Sequence, residues 1–274
     1  MTIAPPVATA IDERRLDPST IAQTWAMSKR AIIALARQPA LVVPSIIFPL
    51  FFAALGTASF GRAIDVPGFP EVDSYLDFAL AGAIAQGVLF GSTVGATALA
   101  TDIENGFFDR LLSSPTSRTS IIVGRMAGGM VYGAVQSAFF VAVLLPFGLS
   151  IKGGVVAVIG LVIAGTFLAL AVGALMATMA IATGSSEATQ GAFPLLFIAL
   201  FFSSSFFPRE TMSGIYATLA DWNPISHLVE GMRDLVIEGA STSALVRAIA
   251  IPAVLSVLTV ALAVRSLHRR LGAS

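Results

Sequence analysis

Long apolar runs alternate with short polar breaks along this chain. A helix needs roughly 17 to 25 apolar residues to cross a hydrocarbon core of about 30 Å. Six stretches meet that length: 40–60, 78–100, 127–149, 154–182, 188–207 and 248–264. The pattern predicts an all-α membrane protein with six transmembrane helices. The first run lies behind a polar segment with Asp12, Glu13 and Asp17, unlike a cleaved secretory signal.

Two shorter patterns flank these runs. In the leader, 1–39, Asp17-Pro18 reads as an N-cap with proline at the first helical position. Ile21, Trp25, Ile32 and Leu35 then share one side, and Lys29, Arg30 and Arg37 another. This predicts an amphipathic helix lying in the interface, either as a plain anchor or also in contact with a partner. Before the last run, Asn223-Pro224 opens a second pattern of Ile225, Leu228, Val229, Met232, Leu235 and Val236, which Gly239 stops. At about a dozen residues that helix is too short to span. It is expected to be re-entrant or interfacial within an external segment, 208–246, paired with a piece around Ile215 and Leu219 that places Trp222 at headgroup level.

Between the second and third runs lies "IENGFFDRLLSSPTSRTSIIVGRM", a concentrated polar elbow. Asn105-Gly106 is a turn signal, Phe107, Phe108, Leu111 and Leu112 form a short apolar stripe, and Pro115 ends the helix. Such a stripe either folds against the end of its own bundle or docks in a groove of another protein.

Composition agrees with the membrane reading. The chain is 56% hydrophobic and 12% charged, against about 25% charged in an ordinary soluble domain. Sixteen basic residues balance sixteen acidic ones, so there is no footprint for nucleic acid. Their placement is uneven. With both termini cytoplasmic, Arg14, Arg15, Lys29, Arg30, Arg37, Arg110, Arg118, Arg125, Arg265, Arg269 and Arg270 fall inside, and only Arg62, Lys152, Arg209, Arg233 and Arg247 outside. That predicts a multi-pass protein of the cell membrane with the elbow, 102–126, and the tail, 268–274, in the cytoplasm.

The runs themselves carry no ionisable side chains, which disfavours a proton-driven carrier. They do carry small residues at helix-contact spacing: Gly87, Gly91 and Gly95, Gly124 with Gly128, and Gly129 with Gly133. Pro44 and Pro49 interrupt the first run and Pro194 the fifth, each removing a backbone hydrogen bond. Phe193, Phe197 and Phe201 recur every four residues and line one face, suited either to lipid or to a path for an apolar substrate.

Catalysis within the chain is not expected. Neither Lys29 nor Lys152 sits in a phosphate-binding G-K-[ST] loop, and no serine occupies a G-x-S-x-G elbow. With no cysteine and only His227 and His268, metal sites have few ligands to draw on.

The order of parts, with the "E-x-G-x-x-D-R-L-L-x-x-P-x-S-R" elbow and the "NP" helix, resembles the membrane subunits of type 2 ATP-binding cassette exporters, most of all the daunorubicin-resistance type. The resemblance implies that 40–267 is a six-span permease domain working beside a second permease chain, identical or related. It also implies a separate ATPase subunit that carries ATP and Mg, with no cofactor in this chain. The elbow would be a coupling helix, with ATPase contacts from Glu104, Gly106, Phe107, Asp109, Arg110, Leu111, Pro115 and Arg118. The segment around Pro208, Trp222, Asn223 and Pro224 would form an outer gate. The second and fifth spans would line the path, which places Gln86, Phe90, Phe193, Phe197 and Phe201 along it. The expected cargo is a hydrophobic or amphipathic compound, drug-like or lipid, moved out of the cell. A secondary carrier and a non-transport membrane scaffold are the other classes the residues allow.

Overall fold

A computed structural model describes residues 20–65, 68–113 and 118–272. Among the described residues the only regular structure is helical: α1 (Thr20–Ala36), α2 (Pro39–Phe60), α3 (Tyr75–Glu104), α4 (Phe107–Leu112), α5 (Arg118–Leu144), α6 (Gly154–Thr183), α7 (Ser186–Gly191), α8 (Phe193–Phe201), α9 (Gly214–Trp222), α10 (Pro224–Ile237) and α11 (Thr242–Gly272). The Asp17-Pro18 cap expected before α1 lies outside the described residues.

Five of these helices, α2, α3, α5, α6 and α11, are long and apolar enough to cross a membrane. At 30 residues each, α3 and α6 reach about 45 Å, the thickness of a bilayer with its headgroups. The end of α3 runs past its apolar run because polar residues such as Asp102 and Glu104 also fit a helix that leaves the hydrocarbon.

The expected fifth span is the exception. Residues 188–207 do not make one long helix: α7 stops at Gly191 and α8 covers only nine residues. At roughly 1.5 Å per residue, α8 reaches less than half the hydrocarbon thickness. Glycine at the end of α7 and proline in the first turn of α8 mark the break, so Pro194 starts a helix instead of kinking one. The broken piece still leads the chain from one end of the bundle to the other. Ser186 touches Glu104 at the elbow end, and Ser204 reaches Arg233 beside Phe78 at the far end.

The centre of the bundle is α3, buried along most of its length and packed by α2, α5, α6 and α10. Its start is fixed by Ser74, whose side chain caps Leu76, with Asp77 returning a bond to the Ser74 backbone. The second Asp77 oxygen accepts from Ser150 N at 2.7 Å, tying α3 to the loop after α5. Around this core the outward faces stay apolar, as with Phe48 and Phe51 on α2 and Val257 and Leu258 on α11. In lipid such exposure carries no hydrophobic penalty.

Small residues set the helix spacing at some predicted positions and not at others. A methyl on Gly87 or Gly91 would strike Phe140 or Tyr132 of α5, one on Gly133 would strike Ala169 of α6, and one on Gly128 would strike Ala31 of α1. Gly95 and Gly129 face open space, contrary to the contact their spacing predicts. The leader helix α1 packs on α5 through Ser28 and Ala31, while Trp25, expected on the shared apolar face, is 69% exposed and points outward.

Proline within α2 explains a polar stitch. Pro49 has no N–H to give the carbonyl four residues back, so Ser45 O lacks its helical donor. Gln136 Nε2 on α5 supplies one at 2.9 Å, and the Ser45 hydroxyl pairs with Tyr132 Oη at 2.6 Å. The helix therefore runs on unbroken through Pro49. Pro252 sits inside α11 in the same manner.

Candidate functional site

At the elbow end, Gly106 adopts φ 65°, a left-handed turn that lets α3 pass directly into α4. This directs Phe108 into a small core with Leu99, Ile103, Ile121, Ile181 and Leu267, with Leu111 packed beside it. Phe108 is 2% exposed. Phe107 lies beneath the Arg30 guanidinium at 4.3 Å, with Arg110 at 5.9 Å. Phe107, Phe108 and Leu111 of the predicted stripe thus fold onto their own bundle, while Asp109 and Arg110 are exposed; the side chain of Leu112 lies outside the described ones. Pro115 lies outside the described residues, and so does the side chain of Arg118, which opens α5.

Charged groups bind this end together. Asp102 pairs with Arg30 of α1 at 3.3 Å and with Arg125 of α5. Glu104, exposed at the last turn of α3, accepts bonds from Ser186 N at 2.6 Å and Ser186 Oγ at 2.8 Å. Its carboxylate therefore sits on the N-terminus of α7, where a negative charge is favoured. Arg270 Nη1 adds a bond to Ile181 O at 3.1 Å.

Midway along α3, Phe90 meets Phe193 at 4.8 Å and Phe197 at 5.6 Å between ring centroids. The row continues through Phe201 at 4.7 Å and Phe206 at a further 4.7 Å. Edge-to-face and offset pairs at these distances attract beyond their buried area. One turn from Phe90, Gln86 is 1% exposed, and its Nε2 meets no acceptor among the described residues.

At the far end, Asn223 joins two helices. Its Oδ1 caps Ile225 N of α10, and its Nδ2 donates to Ala199 O and Phe202 O at the close of α8. Arg209, after the buried Pro208, holds Glu230 through two bonds of 2.9 and 2.8 Å and Asp221 at 3.1 Å. Arg233 is buried: Nη2 donates to Ser204 O at 2.7 Å, Nε to Phe78 O at 3.3 Å, and its plane lies 3.8 Å over the Phe78 ring. Burial lowers its pKa to about 10, against the pull of Glu230 and Asp234. It stays protonated at neutral pH.

Residues 22–237 match the family model described as ABC-2 type transporter. This chain belongs to the ABC-2 type transporter family. It is 28% identical over 219 residues to a daunorubicin resistance ABC transporter permease protein, DrrB1, of Streptomyces coeruleorubidus, covering 80% of this chain and 75% of the relative. It is also 24% identical over 227 residues to the probable doxorubicin resistance ABC transporter permease protein DrrC of Mycobacterium tuberculosis, covering 82% and 81%.

This ABC-2 chain gathers Glu104, Gly106, Phe107, Asp109, Arg110 and Leu111 at one end of the bundle. It gathers Phe90, Phe193, Phe197 and Phe201 in one row at its middle, with Gln86 a turn away. Pro208, Asn223 and Pro224 stand together at the far end, while Trp222 is 85% exposed and turned away from the joint that Asn223 makes. The pattern of the sequence missed the partners of four residues, Asp102, Arg125, Ser186 and Arg233. Asp102 and Arg125 each lie within two residues of an apolar run, which is a usable signal, but Ser186 as partner of Glu104 left none. Arg233 counted only as an external charge, although it stands among the buried Leu228, Val229, Met232, Leu235 and Val236.

Proposed function

We propose that this chain is the permease subunit of an exporter driven by a separate ATP-binding cassette ATPase, moving a hydrophobic or amphipathic compound out of the cell. Two such chains, each crossing the membrane six times with both termini in the cytoplasm, would form the path. The observation that carries the reading is the family match across 22–237, which spans the elbow and the far-end helices alike. The relatives named for daunorubicin and doxorubicin resistance support a drug-like cargo.

In this reading α4 is the coupling element. Asp109 and Arg110 offer charges to the ATPase, while Phe108 and the Arg30–Asp102–Arg125 ion pairs pass its movement to α3, α1 and α5. Glu104 extends the linkage to α7 and thus to the broken helix bearing Phe193 and Phe197. Such a bundle responds by shifting between inward-open and outward-open arrangements. The aromatic row contacts cargo, Gln86 Nε2 offers it one hydrogen bond, and the Asn223 joint with Pro208 and Pro224 gates the outer end.

Purification from native membranes with mass spectrometry of the co-purifying proteins and an ATPase assay tests this. A P-loop ATPase is expected in the eluate. Arg110→Glu is expected to keep the protein in the membrane and to abolish substrate-stimulated hydrolysis. A chain that purifies alone, or an R110E variant that exports at the normal rate, would sink the reading.

A further inference from the structure

We infer that the elbow end of the bundle binds one anionic phospholipid, with its phosphate at Arg30 and Arg125 and the end of one acyl tail in a slot between α3, α5 and α6. The inference is independent of the cargo and of the ATPase.

The slot is a cavity of about 100 Å³, whose walls include Gly95 of α3, Gly129 of α5 and Gly173 of α6. A methyl group on any of these three would meet no atom within 4 Å, whereas one on Gly87, Gly91 or Gly133 would collide with a neighbour. Glycine inside a helix costs roughly 0.5–1 kcal/mol against alanine. At the colliding positions close packing explains it, and at the three open positions it does not. What those glycines do is keep a slot open, on three different helices, at one level of the bundle.

Size decides what enters. A cavity of ~150 Å³ holds one benzene, so the smaller slot has no room for a fused-ring drug. A flexible alkyl end fits it.

Charge decides the head. A second cavity of about 220 Å³, lined by Arg30, Gln38, Thr101, Asp102 and Arg125, adjoins the slot, and Ala34, Gln38 and Arg125 line both. Two guanidiniums here share one carboxylate, which leaves a surplus positive charge at the mouth. Arg30 is partly exposed, its side chain 43% accessible. Basic pockets between membrane helices favour anionic lipid headgroups. An apolar slot beneath a cationic mouth matches an acyl tail beneath a phosphate. The aromatic row of Phe90 and Phe193 lines neither cavity.

The full chain, purified in a maltoside detergent and stripped of lipid, would be titrated with phosphatidylglycerol and with phosphatidylcholine and read by native mass spectrometry. One phosphatidylglycerol retained per chain is expected, with phosphatidylcholine about tenfold weaker, a difference of about 1.4 kcal/mol. Arg30→Ala is expected to remove that preference, and Gly129→Leu to abolish retention. Because leucine is large, the double variant Gly95→Ala, Gly129→Ala is run beside it. Its methyls meet no atom, so it is expected to stay monodisperse and helical yet to bind several-fold more weakly. Equal retention of the two lipids, undiminished binding by a folded double variant, or displacement by millimolar inorganic phosphate alone would each overturn the proposal.

Discussion

Arg233 enters an otherwise apolar interface because its Nε and Nη2 find carbonyls and its flat face finds a ring. Replacing it with leucine would leave Ser204 O buried without that donor, at about 1–3 kcal/mol, while Phe78 O keeps its place in the helical ladder of α3. Arg233→Leu is therefore expected to lower the melting temperature in detergent markedly, and Arg233→Lys, with a compact head that cannot bridge both carbonyls, by less. At the elbow the same logic separates two neighbours. Phe108 is core, and Phe108→Ala is expected to cost about 3–5 kcal/mol and to reduce the amount of folded protein. Arg110 is exposed, so Arg110→Ala is expected to leave the melting temperature unchanged. Thermal melts of both variants check the contrast. In the sequence the two residues sit two places apart in one motif, and the apolar stripe sets Phe108 apart from Arg110 without saying whether the stripe is covered by its own bundle or by another protein.

For the helices, the informative defects are the prolines. Gln136→Leu removes the donor that answers Ser45 O, and is expected to destabilise by about 1–3 kcal/mol, the cost of an unsatisfied buried carbonyl. Pro49→Ala restores the helical donor to that carbonyl. Added to Gln136→Leu, it is expected to recover most of the loss, and a double-mutant cycle on melting would show the coupling. At the elbow, Glu104→Ala removes the acceptor of the Ser186 amide at the start of α7. Amide hydrogen exchange across α7 is expected to quicken, with exchange in α10 unchanged. Helix type was legible for nearly every element, because period, caps and the Asn223-Pro224 start act locally. The division of the fifth apolar run was legible only in part. Gly191 and Pro194 mark it, but an apolar run of that length reads the same whether or not it is one helix.

For the whole molecule, the broken segment decides the topology. Because 186 meets the elbow end and 204 the far end, α1 and the end of α11 come to lie at the same end as α4. The absence of native cysteine makes this directly measurable. Single cysteines at Ser113 and Ser213 are expected to react with an impermeant thiol reagent from opposite sides of the membrane, Ser113 only when the cytoplasmic side is open. Labelling of both from the same side would contradict the arrangement proposed here.

The sequence by itself determined what depends on neighbours along the chain. That includes the helical class, the apolar lengths, the turn at Asn105-Gly106, the capped start of α10 and, through the elbow and "NP" motifs, the family. Tertiary structure alone decided what depends on residues far apart. Ser186 was chosen for Glu104, Gln136 for the carbonyl that Pro49 orphans, and Arg30 and Arg125 for Asp102. It also decided which glycines are tight contacts and which line an empty slot, since the same spacing serves both until the helix opposite is in place. Hydrogen bonds and packing act over a few ångströms in space, and separations of 72 to 91 residues in the chain, as for Arg30 with Asp102 and Gln136 with Ser45, leave no local trace of them.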